Sequence, residues 1–214
     1  MIPLTISYII SHGMLDYLTF KEFEDVFKYV LLIIINYFMF AISSNFVFML
    51  FLVFSMYHFG EDMRYLTDGT NIDRNNGILL ISILGLLNPE QLGIICTLLD
   101  LNQELFHDFL LTLYIFSLVV MFFTNLKSFI IGGVINMCVF CDCNLFISYL
   151  LLVHVPLAIY RYYSCYGKDV VYSWLFFMCV LYFVLDYIIN VFIIKVSISI
   201  VNIHMIYITK WQLE

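Results

Sequence analysis

The feature that most limits what this chain can fold into is the length of its apolar runs. Nine stretches, at 3–19, 24–42, 44–62, 76–88, 107–125, 127–141, 144–162, 169–187 and 189–209, are almost wholly apolar, and short polar loops separate them. A hydrocarbon core of about 30 Å takes about 20 residues of helix, and fewer where the bilayer thins. The runs are continuous rather than alternating, which argues against the strands of a membrane barrel. The stretch 89–103, which opens Pro89-Glu90-Gln91 and runs apolar to Asp100, predicts an interfacial or re-entrant piece. Composition agrees: 64% of the 214 residues are apolar and 12% charged, with a mean hydropathy of +1.00. A soluble domain is closer to half apolar and about a quarter charged. That balance excludes a disordered chain, a nucleic-acid binder and an ordinary water-soluble enzyme. The expectation is an all-α polytopic membrane bundle of about eight to nine transmembrane helices, a single integral membrane domain over 1–214. Met1 enters an apolar stretch with no basic segment before it, so no cleavable signal sequence is expected.

Charge tests the span count. Lys21, Lys28, Arg64, Arg74, Lys127, Arg161, Lys168 and Lys210 all fall in alternate loops, at the span ends that border them or after the last span, and only Lys195 lies deep within a span. The opposite loops, near 42–45, 88–107, 141–144 and 187–190, hold no Lys or Arg. An incorrect count would scramble this segregation. The basic side is cytoplasmic by the positive-inside rule, which predicts an outside N-terminus and an inside C-terminus. The net charge of −7 says little about partners, because the charges sit in short loops.

Four of the five histidines share a depth. His12, His58, His154 and His204 lie in spans that run in the same direction, and the next cytoplasmic basic residue follows 9, 6, 7 and 6 positions later. At a rise of about 1.5 Å per residue, all four stand roughly 9–14 Å inside the inner charge ring. His107 begins its span at the outer face and does not belong to the set. A single intramembrane histidine can simply hydrogen-bond a neighbouring helix. Four at one level point to ligation of one metal ion or cofactor, since ionisable groups inside a membrane default to function.

Two of the four carry more. His12-Gly13-Met14-Leu15-Asp16 and His58-Phe59-Gly60-Glu61-Asp62 each place an aspartate four residues after the histidine, on the same helical face. Asp16 and Asp62 are candidates to accept the second ring N–H of a ligating histidine, or else to cap helix ends. The adjacent glycines offer room for a metal, dioxygen or a long substrate at the backbone. Imidazole ligands in a dry pocket suit iron, copper or zinc, with haem also open. Of the six cysteines, Cys138, Cys141 and Cys143 faintly resemble a metal knuckle, but no second pair answers them, and free buried or interfacial thiols are expected.

Ser11-His12-Gly13-Met14-Leu15-Asp16 and Tyr57-His58-Phe59-Gly60-Glu61-Asp62 resemble the two signature segments of the Brp/Blh family, membrane β-carotene 15,15′-dioxygenases that cut a carotenoid into two retinals. Tyr149 and His154, with Phe146 in register, are similar to a third segment, whose second histidine is Ala158 here. His204-Met205-Ile206 is similar to a fourth, so the likeness runs from residue 11 to about 209. The resemblance implies a non-haem ferrous iron held by His12, His58 and His154, with His204 or a water completing the set. It implies a lipid-soluble carotenoid and dioxygen as substrates, and a retinal-binding rhodopsin as consumer of the product. Tyr17, Tyr57, Phe59, Tyr149 and Tyr160 become candidate tunnel walls, with helix packing as the plainer role for any one of them. The alternative is a membrane carrier of carotenoid, retinal or haem on the same scaffold, without cleavage.

Overall fold

A computed structural model describes residues 23–67, 75–124, 130, 154–188 and 190–213. Seven helices are described: α1 (Phe23–Thr67), α2 (Asn75–Leu87), α3 (Pro89–Leu99), α4 (Gln103–Thr124), α5 (Val155–Tyr166), α6 (Lys168–Ile188) and α7 (Val191–Leu213). No strand occurs among the described residues, as the continuous apolar runs require. The expected spans at 3–19 and 127–141, and the first part of that at 144–162, lie outside the described residues. Among the described residues, two helices can cross a membrane by length and composition, Phe23–Asp62 and Gln103–Phe123, and a third crossing is available if α2 and α3 count as one bent span. Large apolar side chains are exposed along these and along α6. Phe27, Phe38 and Ile42 on α1, Phe116 and Phe123 on α4, and Phe176 and Phe183 on α6 are all more than half exposed. Polar side chains are buried instead, an inside-out arrangement for which lipid is the natural solvent.

α1 is two helical pieces joined at a kink, as the expected spans 24–42 and 44–62 require. The backbone leaves the helix at Ser43 (φ −156°, ψ 83°), inside the break expected near 42–45. The segment Ile42-Ser43-Ser44-Asn45 contains neither Gly nor Pro, so nothing forces the backbone out of the helix for more than one residue. The Ser44 hydroxyl donates to the Phe40 carbonyl at 2.7 Å, capping a group beside the break.

Other boundaries have local causes. Pro89 cannot continue α2, Asn88 leaves the helix, and α3 sets off at 88° to α2. Asp100 ends α3 in the left-handed region, donating its N–H to the Cys96 and Thr97 carbonyls. Asn102 and Asn190 accept backbone N–H groups of Leu105 and Ile193, each at 3.1 Å, and so cap α4 and α7. Gly167 takes φ +84° between α5 and α6, where a Cβ would be strained, and its N–H reaches the Tyr163 carbonyl.

The chain divides into two compact units, Met1–Phe51 with Arg161–Glu214, and Leu52–Tyr160. In the first unit α7 is central: Ser197, Ile198, Ser199, Asn202, Ile203, His204 and Met205 are all buried. The Asn202 amide donates to the Asn36 side-chain oxygen and to the Val47 carbonyl, 3.3 Å each, and so grips α1 on both sides of the break at Ser43. Tyr37 and Phe192 meet edge to face at 5.4 Å. Lys195, the one basic residue expected inside a span, lies 5.5 Å over the Phe40 ring. Asn202→Ala removes both inter-helix bonds and leaves a small void, and is expected to destabilise the protein by about 1–2 kcal/mol, read as a lowered thermal midpoint in detergent.

In the second unit α2 packs along α4. Two contacts set the pair antiparallel: the Asn75 amide and Ser117 hydroxyl exchange bonds with each other's backbone carbonyls, at 2.9 and 3.0 Å, and Gly85 faces Leu110. Phe106, Leu110, Ser117 and Met121 form the buried edge of α4. The opposite contact of α2 is closer still. A Cβ on Gly77 would fall 2.7 Å from the Gly60 Cα and nearer yet to the Met56 carbonyl, so α1 and α2 cross backbone to backbone. This corrects the expectation for Gly60. Met56 and Gly60 share one helical face, and His58, two residues from each, points about 200° away. Gly60 therefore makes room for α2, behind the histidine face rather than beside a ligand.

Candidate metal site

The second unit brings together three of the residues singled out in the sequence. His58 and Asp62 are one turn apart on α1. His154 stands immediately before α5. The Nε2 atoms of His58 and His154 are 3.3 Å apart, with the rings nearly perpendicular at 78°. Asp62 Oδ2 accepts the Nδ1–H of His154, and both side chains are at least 97% buried. With its proton on Nδ1, His154 presents a bare Nε2 lone pair towards His58.

The expected partner of Asp62 was the histidine four residues before it on its own helix. The bond observed is to His154, 92 residues further on. Sequence spacing placed the carboxylate on the correct face. It did not show which helix would stand opposite.

The pair suits a first-row transition ion. Two nitrogen ligands about 2.1 Å from one ion, and about 100° apart, would be separated by about 3.2 Å, and the observed separation is 3.3 Å. Asp62 adds what a ligating imidazole needs behind it, a fixed tautomer and greater basicity at the coordinating nitrogen. Two axial ligands of one haem would stand about 4 Å apart on opposite sides of a porphyrin, so this pair does not fit haem. The same 3.3 Å also accommodates an Nε2–H of His58 donating to His154, giving a hydrogen-bonded chain from Asp62 to His58. Among the described residues no group of three His, Cys, Asp or Glu converges as a complete ligand set.

The other candidates divide. Phe59 is buried, with its ring 5.0 Å from that of His154 and 5.7 Å from that of His58, a wall of the histidine pair. Tyr57 is half-buried beside it, whereas Tyr160 is 66% exposed and faces outward. Ala158 is buried one turn after His154, so that turn presents a methyl group where the resembled segment carries its second histidine. His204 is buried on α7, in the first unit. His12, Asp16, Tyr17, Tyr149 and the cysteines at 138, 141 and 143 lie outside the described residues. Cys96 is a buried free thiol and Cys179 an exposed one, as expected for cysteines in apolar runs. His107 is exposed beside Asp108, away from the pair. Sequence reading missed Asn202 and Gly77. For Asn202 the signal was present, an amide inside an apolar run two residues before His204.

Comparison with family models, with curated proteins and with solved structures finds no match for the chain.

Proposed function

We propose that the chain is a multi-pass membrane oxygenase of the Brp/Blh kind, using non-haem ferrous iron to cleave the central double bond of β-carotene or a close carotenoid into retinal. The observation that carries this reading is the Asp62–His154–His58 arrangement, two imidazole nitrogens set for one ion and a buried carboxylate behind one of them. The bundle takes eight to nine spans, with the N-terminus outside and the C-terminus on the basic, cytoplasmic side. His58 and His154 hold the metal, and His12 and His204, at the same depth in sequence, are the candidates to complete it. Bound ferrous iron supplies open positions at which dioxygen meets an alkene. The chain's own residues do the rest: Asp62 holds the tautomer, Phe59 shields the histidine pair from water, and the apolar interior accepts a polyene. No acid–base pair is needed, because neither substrate must gain or lose a proton.

The test is expression in a bacterium that accumulates β-carotene, with pigments extracted and separated. Retinal from the parent chain supports the reading; unchanged carotene with verified membrane expression refutes it. Ala158 favours a second reading, in which the same scaffold binds carotenoid or retinal without cleaving it. Pigment that copurifies uncleaved distinguishes that case. His204→Ala is expected to lower the iron content of the purified chain severalfold, measured by metal analysis, and unchanged iron removes His204 from the ligand set.

A further inference from the structure

α3 is set apart by its direction. It leaves α2 at 88°, and α2, with 13 residues, is about 20 Å long, two-thirds of the hydrocarbon thickness. Its neighbour α4, with 22 residues, is about 33 Å long and can cross completely. Gly85, near the end of α2, meets Leu110, seven residues into α4. The chain runs on from Gly85 towards the start of α4, so the elbow at Asn88 lies roughly 6 Å inward from that start, and α3 runs sideways from that depth.

The two edges of α3 are both apolar. Leu92, Cys96 and Leu99 are buried, whereas Ile94, Ile95 and Leu98 are 50%, 40% and 40% exposed. α4 also exposes Ile115, Phe116 and Val119. No Lys or Arg occurs anywhere in 75–126, while Glu90, Asp100, Glu104 and Asp108 are all exposed there.

We propose that α3 lies in the plane of the leaflet opposite the basic loops, with Ile94, Ile95 and Leu98 among acyl chains beneath zwitterionic or neutral headgroups. The inference rests on the membrane reading and commits to one of two placements that the sequence leaves open. A helix just under the headgroups, its apolar edge about 5–10 Å into the acyl boundary, is a stable interfacial arrangement. The lipid is zwitterionic rather than anionic because four exposed carboxylates and no cation border the helix.

The test is Ile95→Trp, with Leu98→Trp as a second reporter, in the full chain reconstituted in phosphatidylcholine vesicles. Fluorescence is compared with the parent, which keeps Trp174 and Trp211. The added emission is expected to lose at least half its intensity in lipid brominated along the acyl chain, and to resist quenching by iodide in the buffer. Replacing part of the lipid with phosphatidylglycerol is expected to leave this pattern unchanged. Quenching by iodide overturns the placement in favour of water. Quenching by neither agent overturns it in favour of a covering protein, such as a second copy of the chain. Extraction with alkali separates the two levels of the argument. A chain that stays in the membrane while residue 95 fails the lipid test loses the α3 proposal alone, and a chain that is released loses the membrane reading as well.

Discussion

His154→Ala is expected to abolish retinal formation in β-carotene-accumulating cells and to reduce the iron content of the purified chain at least tenfold. The imidazole holds one of the two convergent nitrogens, and it is the ring that Asp62 orients. Its removal therefore takes away a proposed ligand together with a buried hydrogen bond to Asp62, whose carboxylate is 99% buried. His58→Ala removes the other nitrogen and leaves the Asp62–His154 bond in place, so it is expected to lose iron and retinal with a smaller fall in thermal stability. Asp62→Asn keeps the shape and an acceptor oxygen but removes the charge, and groups that support a metal ligand in this way typically change affinity by about 10–100-fold. The expected order of iron loss is His154→Ala, then His58→Ala, then Asp62→Asn. Metal analysis reads that order independently of turnover, so a chain that binds iron and does not cleave carotene still reports on the site. Retinal at the parent level from His154→Ala would remove the histidine pair from the chemistry altogether.

The helices were legible because apolar runs are local. The sequence predicted 76–88, 107–125, 169–187 and 189–209, and the structure has Asn75–Leu87, Gln103–Thr124, Lys168–Ile188 and Val191–Leu213. Each edge is fixed by chemistry within a few residues: Pro89 after α2, the Asn102 cap before α4, Gly167 before α6 and the Asn190 cap before α7. The elbow at Asn88 was legible for the same reason. The break near residue 43 was legible too, as a polar interruption of an apolar run, and the backbone leaves the helix at Ser43; what holds the two pieces was not. Whether the chain turns there depends on what grips it from outside, and Asn202 is 159 positions away in sequence (202 − 43).

Part of the site was legible by the same logic. Depth counting places His58 and His154 at one level because rise per residue is a local rule, and the structure brings them into contact. Pairing across helices is not local. Nothing within reach of Asp62 in sequence shows that its carboxylate serves His154 rather than its own helix's histidine. Nor does the sequence show which neighbour a glycine admits. Gly60 reads equally well as space for a ligand or for a helix, and only the approach of α2 decides it.

That approach sets the second large effect. Gly77→Ala is expected to destabilise the protein by about 3 kcal/mol or more, seen as a steep loss of thermal midpoint and of folded yield in detergent. The added methyl group would meet the Met56 carbonyl and the Gly60 nitrogen and Cα, all of them backbone, and no side-chain rotation relieves it. The other helical glycines with close neighbours provide an internal scale. At Gly85 the methyl would meet the tip of the Leu110 side chain, which can rotate away at the expense of some packing against α4. At Gly93 it would come 3.3 Å from the exposed Gln103 amide, which has room to move. The expected order of destabilisation is therefore Gly77→Ala, then Gly85→Ala, then Gly93→Ala, the last close to neutral. Because Gly60 lies between His58 and Asp62 on α1, pushing α2 away at Gly77 also moves, from behind, the turn that carries His58 and Asp62. Gly77→Ala protein that can be purified is therefore expected to bind less iron than the Gly85→Ala protein. Equal midpoints for the Gly77 and Gly85 variants would show that α1 and α2 do not cross backbone to backbone. The histidine turn would then have to be held by other contacts.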